Sequence, residues 1–405
     1  IFCFICLAGT AQAERHFPLG SNEVLIPKTE GIRTEMLENI APLVRASIAA
    51  GHYPGAVVLV GHKGKIIYRG VFGNRRIIPT VAPMRFDTKF DAASLTKVLV
   101  TTPAIMQLVE QNRIDLDAPV ARYWQAFGSN NKQHITVREL LTHTSGLPAD
   151  ITPINRADAI IKIERLKPIA NPGTKFLYSD VNFIALGHLI EEITDEELDQ
   201  YAHDHIFQPL GMSNTMYLPD DALNDNIAPT ELLKDGLRWG EVHDPTTYAM
   251  DGVSGAAGIF TTANDVGIYA QTILDGGRIR NKNKFILSPL TILKMTTPQT
   301  PVELSDVRGF GWDIDSRFSN RGVFLPTRSF GHSGWTGTSI WIDPATQTWI
   351  VILTSRAHPT PLHNNPLIED RRAIANFVAA SITDIKTMSE WNTSRSELAR
   401  AYSQA

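Results

Sequence analysis

Cysteine is almost missing from this chain. Of 405 residues only two are cysteine, Cys3 and Cys6, and both lie in the first few positions. Beyond them the chain offers no disulfide, no catalytic thiol and no thiolate metal site. Long apolar runs are also missing past the extreme N-terminus, so no internal transmembrane helix is expected. Charge of neither sign dominates: the formal net charge is -4, with 38 basic and 42 acidic residues. A nucleic-acid partner calls for a basic stripe, and none is present. There is no H-E-x-x-H, and His203 and His205, two apart, would diverge on a helix, so no metal site is expected. Internal repeats, heptads and low-complexity tracts are absent too.

The two cysteines belong to a stretch with a reading of its own. Ile1–Leu7 is apolar, and Ala11-Gln12-Ala13 supplies the small-x-small pattern of a signal-peptidase site. Residues 1–13 are therefore expected to be the remnant of an export signal, and the protein to be periplasmic or secreted. Ile5 stands before Cys6 where a lipoprotein signal would carry a small residue. A lipid anchor is not expected, and no integral membrane anchor after cleavage.

The remaining pattern is that of a large globular chain with strands at both ends and helices between. Thr34–Ala50 carries apolar residues at helical spacing. Gly55–Gly61 and Lys65–Arg69 read as strands joined by a turn at His62-Lys63-Gly64. Ser94–Glu110 reads as a buried helix interrupted or bounded by Pro103. From about 115 to 300 helices and loops prevail, including Val137–Leu141 and an amphipathic helix over Asn182–Ile193. Gly337–Ile342 and Thr348–Thr354 are strands around an Asp343-Pro344-Ala345 turn, and Asp370–Ile382 is a helix that could cover them. The expected architecture is α+β: one antiparallel sheet built from both chain ends (about 34–90 and 300–383) and flanked by helices, with an all-helical lobe inserted. The last residues, 389–405, are a polar tail. A cleft between the lobes is the natural ligand site.

Three short motifs follow one another in the order a serine acyl-transfer site needs: Ser94-Leu95-Thr96-Lys97, Tyr178-Ser179-Asp180 and His332-Ser333-Gly334. A serine hydroxyl is a weak nucleophile until a base takes its proton. Three residues apart on a helix, Ser94 and Lys97 share a face, so the amine can reach the hydroxyl. Burial and a nearby cation such as protonated His332 would lower the lysine pKa and free the amine. Tyr178 follows a Pro172-Gly173 loop and could take the serine proton and return one to the leaving group, provided Lys97 lowers its pKa. Asp180 could orient Lys97, bind a polar group of the substrate, or cap the helix that follows it. His332 lies between Gly331 and Gly334, where the backbone can approach a ligand closely. The N–H of Trp335 would then complete an oxyanion hole with that of Ser94, while His332, Ser333 and Gly334 line the substrate. His143 is expected to make structural hydrogen bonds. His243, beside Trp239-Gly240-Glu241, could line the cleft.

These residues resemble the three motifs of serine β-lactamases and penicillin-binding proteins. The arrangement is most similar to the class C branch with its D-alanyl-D-alanine carboxypeptidases and esterases. Leu140–Leu147, Phe207–Met212 and Gly331–Gly337 look like the same family, over about residues 34–383. Glu241–Asp244 followed by Gly252–Gly258 resembles the periplasmic esterases also called type 4B penicillin-binding proteins. The resemblance implies a β-lactamase/transpeptidase-like fold and an acyl-enzyme on Ser94 resolved by water, without metal or organic cofactor. It also implies a small-molecule or peptidoglycan-peptide substrate, with β-lactams as candidate ligands. Two departures stand out. The second motif ends in Asp180 where the family usually has Asn. The third begins with His332 where efficient class C β-lactamases carry Lys, which favours a carboxypeptidase or esterase over a β-lactamase. A binding protein without turnover would have no need of Ser94, Lys97 and Tyr178 together.

Overall fold

The computed structural model describes residues 23–280 and 282–385. The expected export signal, with both cysteines, and the polar tail at 389–405 lie outside the described residues. Among the described residues no helix is long and apolar enough to cross a membrane.

The chain opens with β1 (Val24–Leu25), followed by helix α1 (Ile40–Ala49) and the hairpin strands β2 (Gly55–His62) and β3 (Lys65–Arg76). The helix expected over Thr34–Ala50 is in fact two: a single turn at Thr34–Leu37 precedes α1. The β2–β3 turn falls where the sequence places it. Lys63 and Gly64 both have positive φ (48° and 75°), the twist that tight hairpins require. After the helical middle the chain returns through β6 (Val307–Arg308), β7 (Asp313–Asp315), β8 (Phe330–Ser333), β9 (Ser339–Asp343) and β10 (Thr348–Thr354). Two short strands between them, β4 (Phe90–Asp91) and β5 (Phe260–Thr261), form a separate antiparallel pair. The main sheet runs β1–β3–β2–β10–β9–β8–β7–β6, antiparallel throughout. Its centre is the pairing of β2 with β10, where Val57 faces Leu353. The two ends of the chain thus meet in mid-sheet.

Alternation along these central strands sorts side chains between two cores. Val57, Leu59, Val351 and Leu353 join the core shared with the helical middle, among them Val98, Leu99 and Tyr269. Val58, Val60, Ile350 and Ile352 join the core on the opposite face, beneath Ile40 and Val44 of α1 and Ile374 and Val378 of α5 (Leu367–Ser381). Each such fully buried aliphatic side chain contributes about 1.5–3 kcal/mol. A one-residue slip would exchange the two sets, so both faces fix the register.

The segment that carries Ser94 departs from the expected helix. Ala93–Leu95 is a 3-10 turn, Lys97–Thr101 is wound as a π-helix, and regular α geometry starts only with α2 (Thr102–Glu110). Pro103 lies in the first turn of α2, where its missing N–H costs nothing. It marks a boundary, one of the two expectations for it. The helix expected over Asn182–Ile193 is α3 (Asp180–Thr194), capped at its N-terminus by Ser179, whose side chain accepts the Asn182 N–H. α4 (Ala263–Leu274) packs the helical middle onto β2 and β10.

Candidate active site

Ser94 stands on a strained turn. Ala93, just before it, holds a left-handed backbone at φ 46°, a conformation that costs an L-residue about 1–2 kcal/mol. The turn is tied down on both sides. The Ala92 N–H donates to Ile259 O at 2.9 Å, and the Leu95 N–H donates back to Ala92 O at 3.1 Å. The third-motif segment presses against it so closely that a Cβ on Gly334 would lie 2.5 Å from Ala92 O. That contact is the physical reason for glycine there.

The ammonium of Lys97 is surrounded by acceptors. It donates to Ser94 Oγ at 3.1 Å and to Ala256 O at 2.8 Å, and it pairs with Asp180 Oδ1 at 2.6 Å. The side chain is fully buried. Burial alone would push its pKa down; the Asp180 carboxylate and the Tyr178 phenol outweigh it, and the pKa lies above that of an ordinary lysine. This corrects the expectation of a lysine freed of its proton by burial and a cationic histidine. It also removes one of the roles open to Asp180, that of helix cap. Ser179 caps α3, and Asp180, in the first helical turn, is the charge partner of Lys97.

His332 does not supply the expected positive charge. Its Nδ1 lies 3.0 Å from Ser333 O, which can only accept, so Nδ1 carries the proton and Nε2 is a bare acceptor. Nε2 is buried and has no protein partner. Burial, then the charges of Arg308 and Lys97, hold its pKa well below the usual 6.5, and the ring is neutral. His143 is neutral for the same first reason, burial, reinforced by Arg308 and Lys97. It makes the structural hydrogen bond expected of it: Nδ1 accepts the Ser179 N–H at 3.1 Å. Its ring also stacks on Tyr178 at 4.4 Å, which fixes the plane of the phenol.

Ser94, Tyr178, His332, Ser333, Gly334 and Trp335 all line one cavity of about 350 Å³. Lys97 is not among its lining residues and reaches it through Ser94 Oγ. The same cavity has a cationic lining that no motif in the sequence announces. Arg308 and Arg371, both almost fully buried, line the same cavity with Arg317 and Arg372, against a single carboxylate, Asp313. Arg308 donates to Gly311 O at 2.9 Å and Arg371 to Thr338 O at 2.8 Å, yet the Nε of each has no protein partner. The one signal available for Arg308 was its place before Gly309-Phe310-Gly311-Trp312, a glycine-rich stretch where backbone can approach a site.

His243 is not among the residues that line the cavity. It stands behind Trp335, its ring stacked on the indole at 4.5 Å and 15°, with Nε2 2.9 Å from Glu231 Oε2. The place in the lining that its loop suggests is held by Trp335, which His243 backs. Among the described residues no three His, Cys, Asp or Glu side chains converge as a metal centre would need.

The model of the β-lactamase family matches residues 40–373. The chain belongs to the β-lactamase family. Its relatives span carboxypeptidase, amidase and lactamase names. A protein of Escherichia coli O157:H7 provisionally named D-alanyl-D-alanine carboxypeptidase is 29% identical, over 82% of this chain and 85% of its own. The N-acetylmuramyl-L-alanine amidase of Bacillus subtilis (strain 168) is 32% identical, over 84% of this chain and 85% of its own. Among solved structures, a class C β-lactamase shares the fold with a TM-score of 0.69, at 18% identity, over 85% of this chain and 96% of its own. The β-lactamase-family fold, with its antiparallel sheet and inserted helices, is thus the one the three motifs implied.

Proposed function

We propose that this member of the β-lactamase family is an exported serine hydrolase that forms an acyl-enzyme on Ser94, and that its substrates are peptide or ester carbonyls of the D,D-carboxypeptidase or esterase type. The observation that carries the reading is the 3.1 Å contact between Lys97 Nζ and Ser94 Oγ, with Ser94 lining a cavity shared with Tyr178 and the His332–Trp335 segment. Ser94 Oγ attacks the carbonyl as its proton passes to Tyr178, which takes part as a phenolate paired with the Lys97 ammonium and so has room for that proton. The Lys97 ammonium, beside both oxygens, supports the charge that shifts as the proton moves. The carbonyl oxygen becomes an oxyanion between the N–H groups of Ser94 and Trp335. Tyr178 then protonates the leaving group, and water repeats the sequence in reverse to free Ser94. The arginines around the cavity suit a substrate that carries a carboxylate, as a peptide C-terminus does. His332, neutral and acceptor-only at Nε2, favours this reading over a β-lactamase, which stands second. Action on cell-wall peptides would place the protein in the periplasm or outside the cell, in line with the small-x-small pattern at Ala11–Ala13.

The test is intact mass after incubation with a penicillin, together with hydrolysis of a nitrophenyl ester, for the wild type and Ser94→Ala. A lasting adduct on the wild type alone, and ester hydrolysis reduced at least about 10³-fold in the variant, is expected. Rapid loss of the penicillin without an adduct would favour the β-lactamase. Ester hydrolysis that survives in Ser94→Ala would sink the nucleophile assignment.

A further inference from the structure

Asp91 is buried three residues before the nucleophile, and no acyl-transfer step uses it. Its two carboxylate oxygens divide their work. Oδ1 accepts the Ala93 N–H at 2.8 Å, and Oδ2 accepts the His243 N–H at 2.7 Å. The first bond fixes the left-handed residue from which Ser94 projects. The second holds the residue whose ring stacks on Trp335. The main chain of the same short strand reaches the same wall. Thr336 Oγ1 donates to Asp91 O at 2.7 Å, and Thr338 Oγ1 donates to Ala92 O at 2.8 Å. Residues 91 and 92 thus join the turn of Ser94 to the Gly334–Thr338 segment directly, through Thr336 and Thr338, and through His243, which stacks on Trp335.

We propose that Asp91 is a positioning residue that sets the spacing between the two N–H donors of the oxyanion hole, those of Ser94 and Trp335. The inference rests on the acyl-enzyme reading above and adds to it a residue that acts on the transition state without touching substrate. The side-chain chemistry fits this role. Both partners are N–H donors, and a carboxylate accepts with both oxygens. An amide of the same shape has one oxygen, so its NH2 would face an N–H donor. Asp91→Asn therefore breaks one arm of the link while the volume is kept. Oxyanion donors lose most of their value when displaced by a fraction of an ångström.

The experiment uses the full chain with Asp91→Asn, a nitrophenyl ester, and a phenylboronic acid that adds to Ser94 to give a tetrahedral adduct. The expected result is kcat lower by about 10–100-fold. KM should stay within about threefold, and boronate affinity should weaken by about the same factor as kcat, since both read the tetrahedral state. A merely structural role would lower the melting temperature without that parallel. A folded Asp91→Asn protein with wild-type kcat, or with reduced kcat and unchanged boronate affinity, overturns the proposal. Should that variant fail to fold, Thr336→Val removes the donor to Asp91 O and must show the same parallel loss; its absence overturns the proposal equally. Ester hydrolysis by Ser94→Ala at the wild-type rate would instead overturn the acyl-enzyme reading, and the role of Asp91 with it.

Discussion

Gly334→Ala tests how tightly the two walls of the cavity are set. A Cβ at 334 would lie 2.2 Å from Thr338 Oγ1 and 2.5 Å from Ala92 O, with Ala93 Cβ next at 3.2 Å. Neither close atom is free to retreat. The Thr338 hydroxyl donates to that same Ala92 carbonyl at 2.8 Å, and the Ala92 N–H is held by Ile259 O. Relief must come from separating the Gly334–Trp335 backbone from the Ser94 turn by about 1 Å, the shortfall from ordinary van der Waals contact. Forced overpacking of this kind costs about 1–3 kcal/mol. At about 2 cal/mol/K of unfolding entropy per residue over the described chain, that is a fall of about 1–4 °C in melting temperature. The catalytic effect should be far larger. A displacement approaching 1 Å costs about 10²-fold in rate, so kcat for a nitrophenyl ester should drop about 10–100-fold. The assay is steady-state hydrolysis beside a thermal melt of the same sample. If Gly334→Ala melts with the wild type and keeps its kcat within twofold, the third-motif segment does not press on the nucleophile turn, and the oxyanion argument fails with it.

Two further outcomes follow from the charges. Asp180 holds the Lys97 pKa above its ordinary value, so Asp180→Asn lets Lys97 lose its proton at lower pH. The alkaline limb of kcat/KM should move toward neutrality, and a limb that stays in place would show that Lys97 is not the group being read. His143 and His332 are both held well below 6.5 in the folded protein. The unfolded chain binds their protons from about pH 6.5 downward and the folded one does not, so stability should fall as pH drops below that value. Melting temperature against pH for the wild type and His332→Asn checks this, and the variant should show the shallower decline; equal slopes would contradict a buried neutral His332.

Much of the site was readable because its parts are local. Ser94 and Lys97 are three residues apart, and the sequence alone makes them neighbours; the hairpin at Lys63-Gly64 and the turn at Asp343 are equally local. What the sequence could not show is which distant charges meet. The pairing of Asp180 with Lys97 is one of three roles the sequence leaves open, and nothing in Tyr178-Ser179-Asp180 tells that Ser179 and not Asp180 will cap the helix. With Ser179 in that place, Asp180 falls in the first turn and reaches the lysine. Arg308 escaped for another reason. It sits in strands of two and three residues whose register shifts between Asp313 and Asp315, too short to impose a period on the sequence. His243 shows the limit of proximity arguments: the sequence around it suggests a place in the cleft, yet it backs the tryptophan that lines the cavity.

The meeting of the two chain ends at β2 and β10 bears on how this protein is made. Ser94 and Lys97 leave the ribosome early, while Trp335 and the strand that centres the sheet come some 240 residues later in the sequence. Contacts of such long separation form late and slowly. A chain stopped anywhere in the helical middle would carry the serine without the wall to which we assign the oxyanion. Acylation should therefore appear only when the last strands are in place, and an active-site label would report completion of the fold, not the mere presence of its N-terminal half.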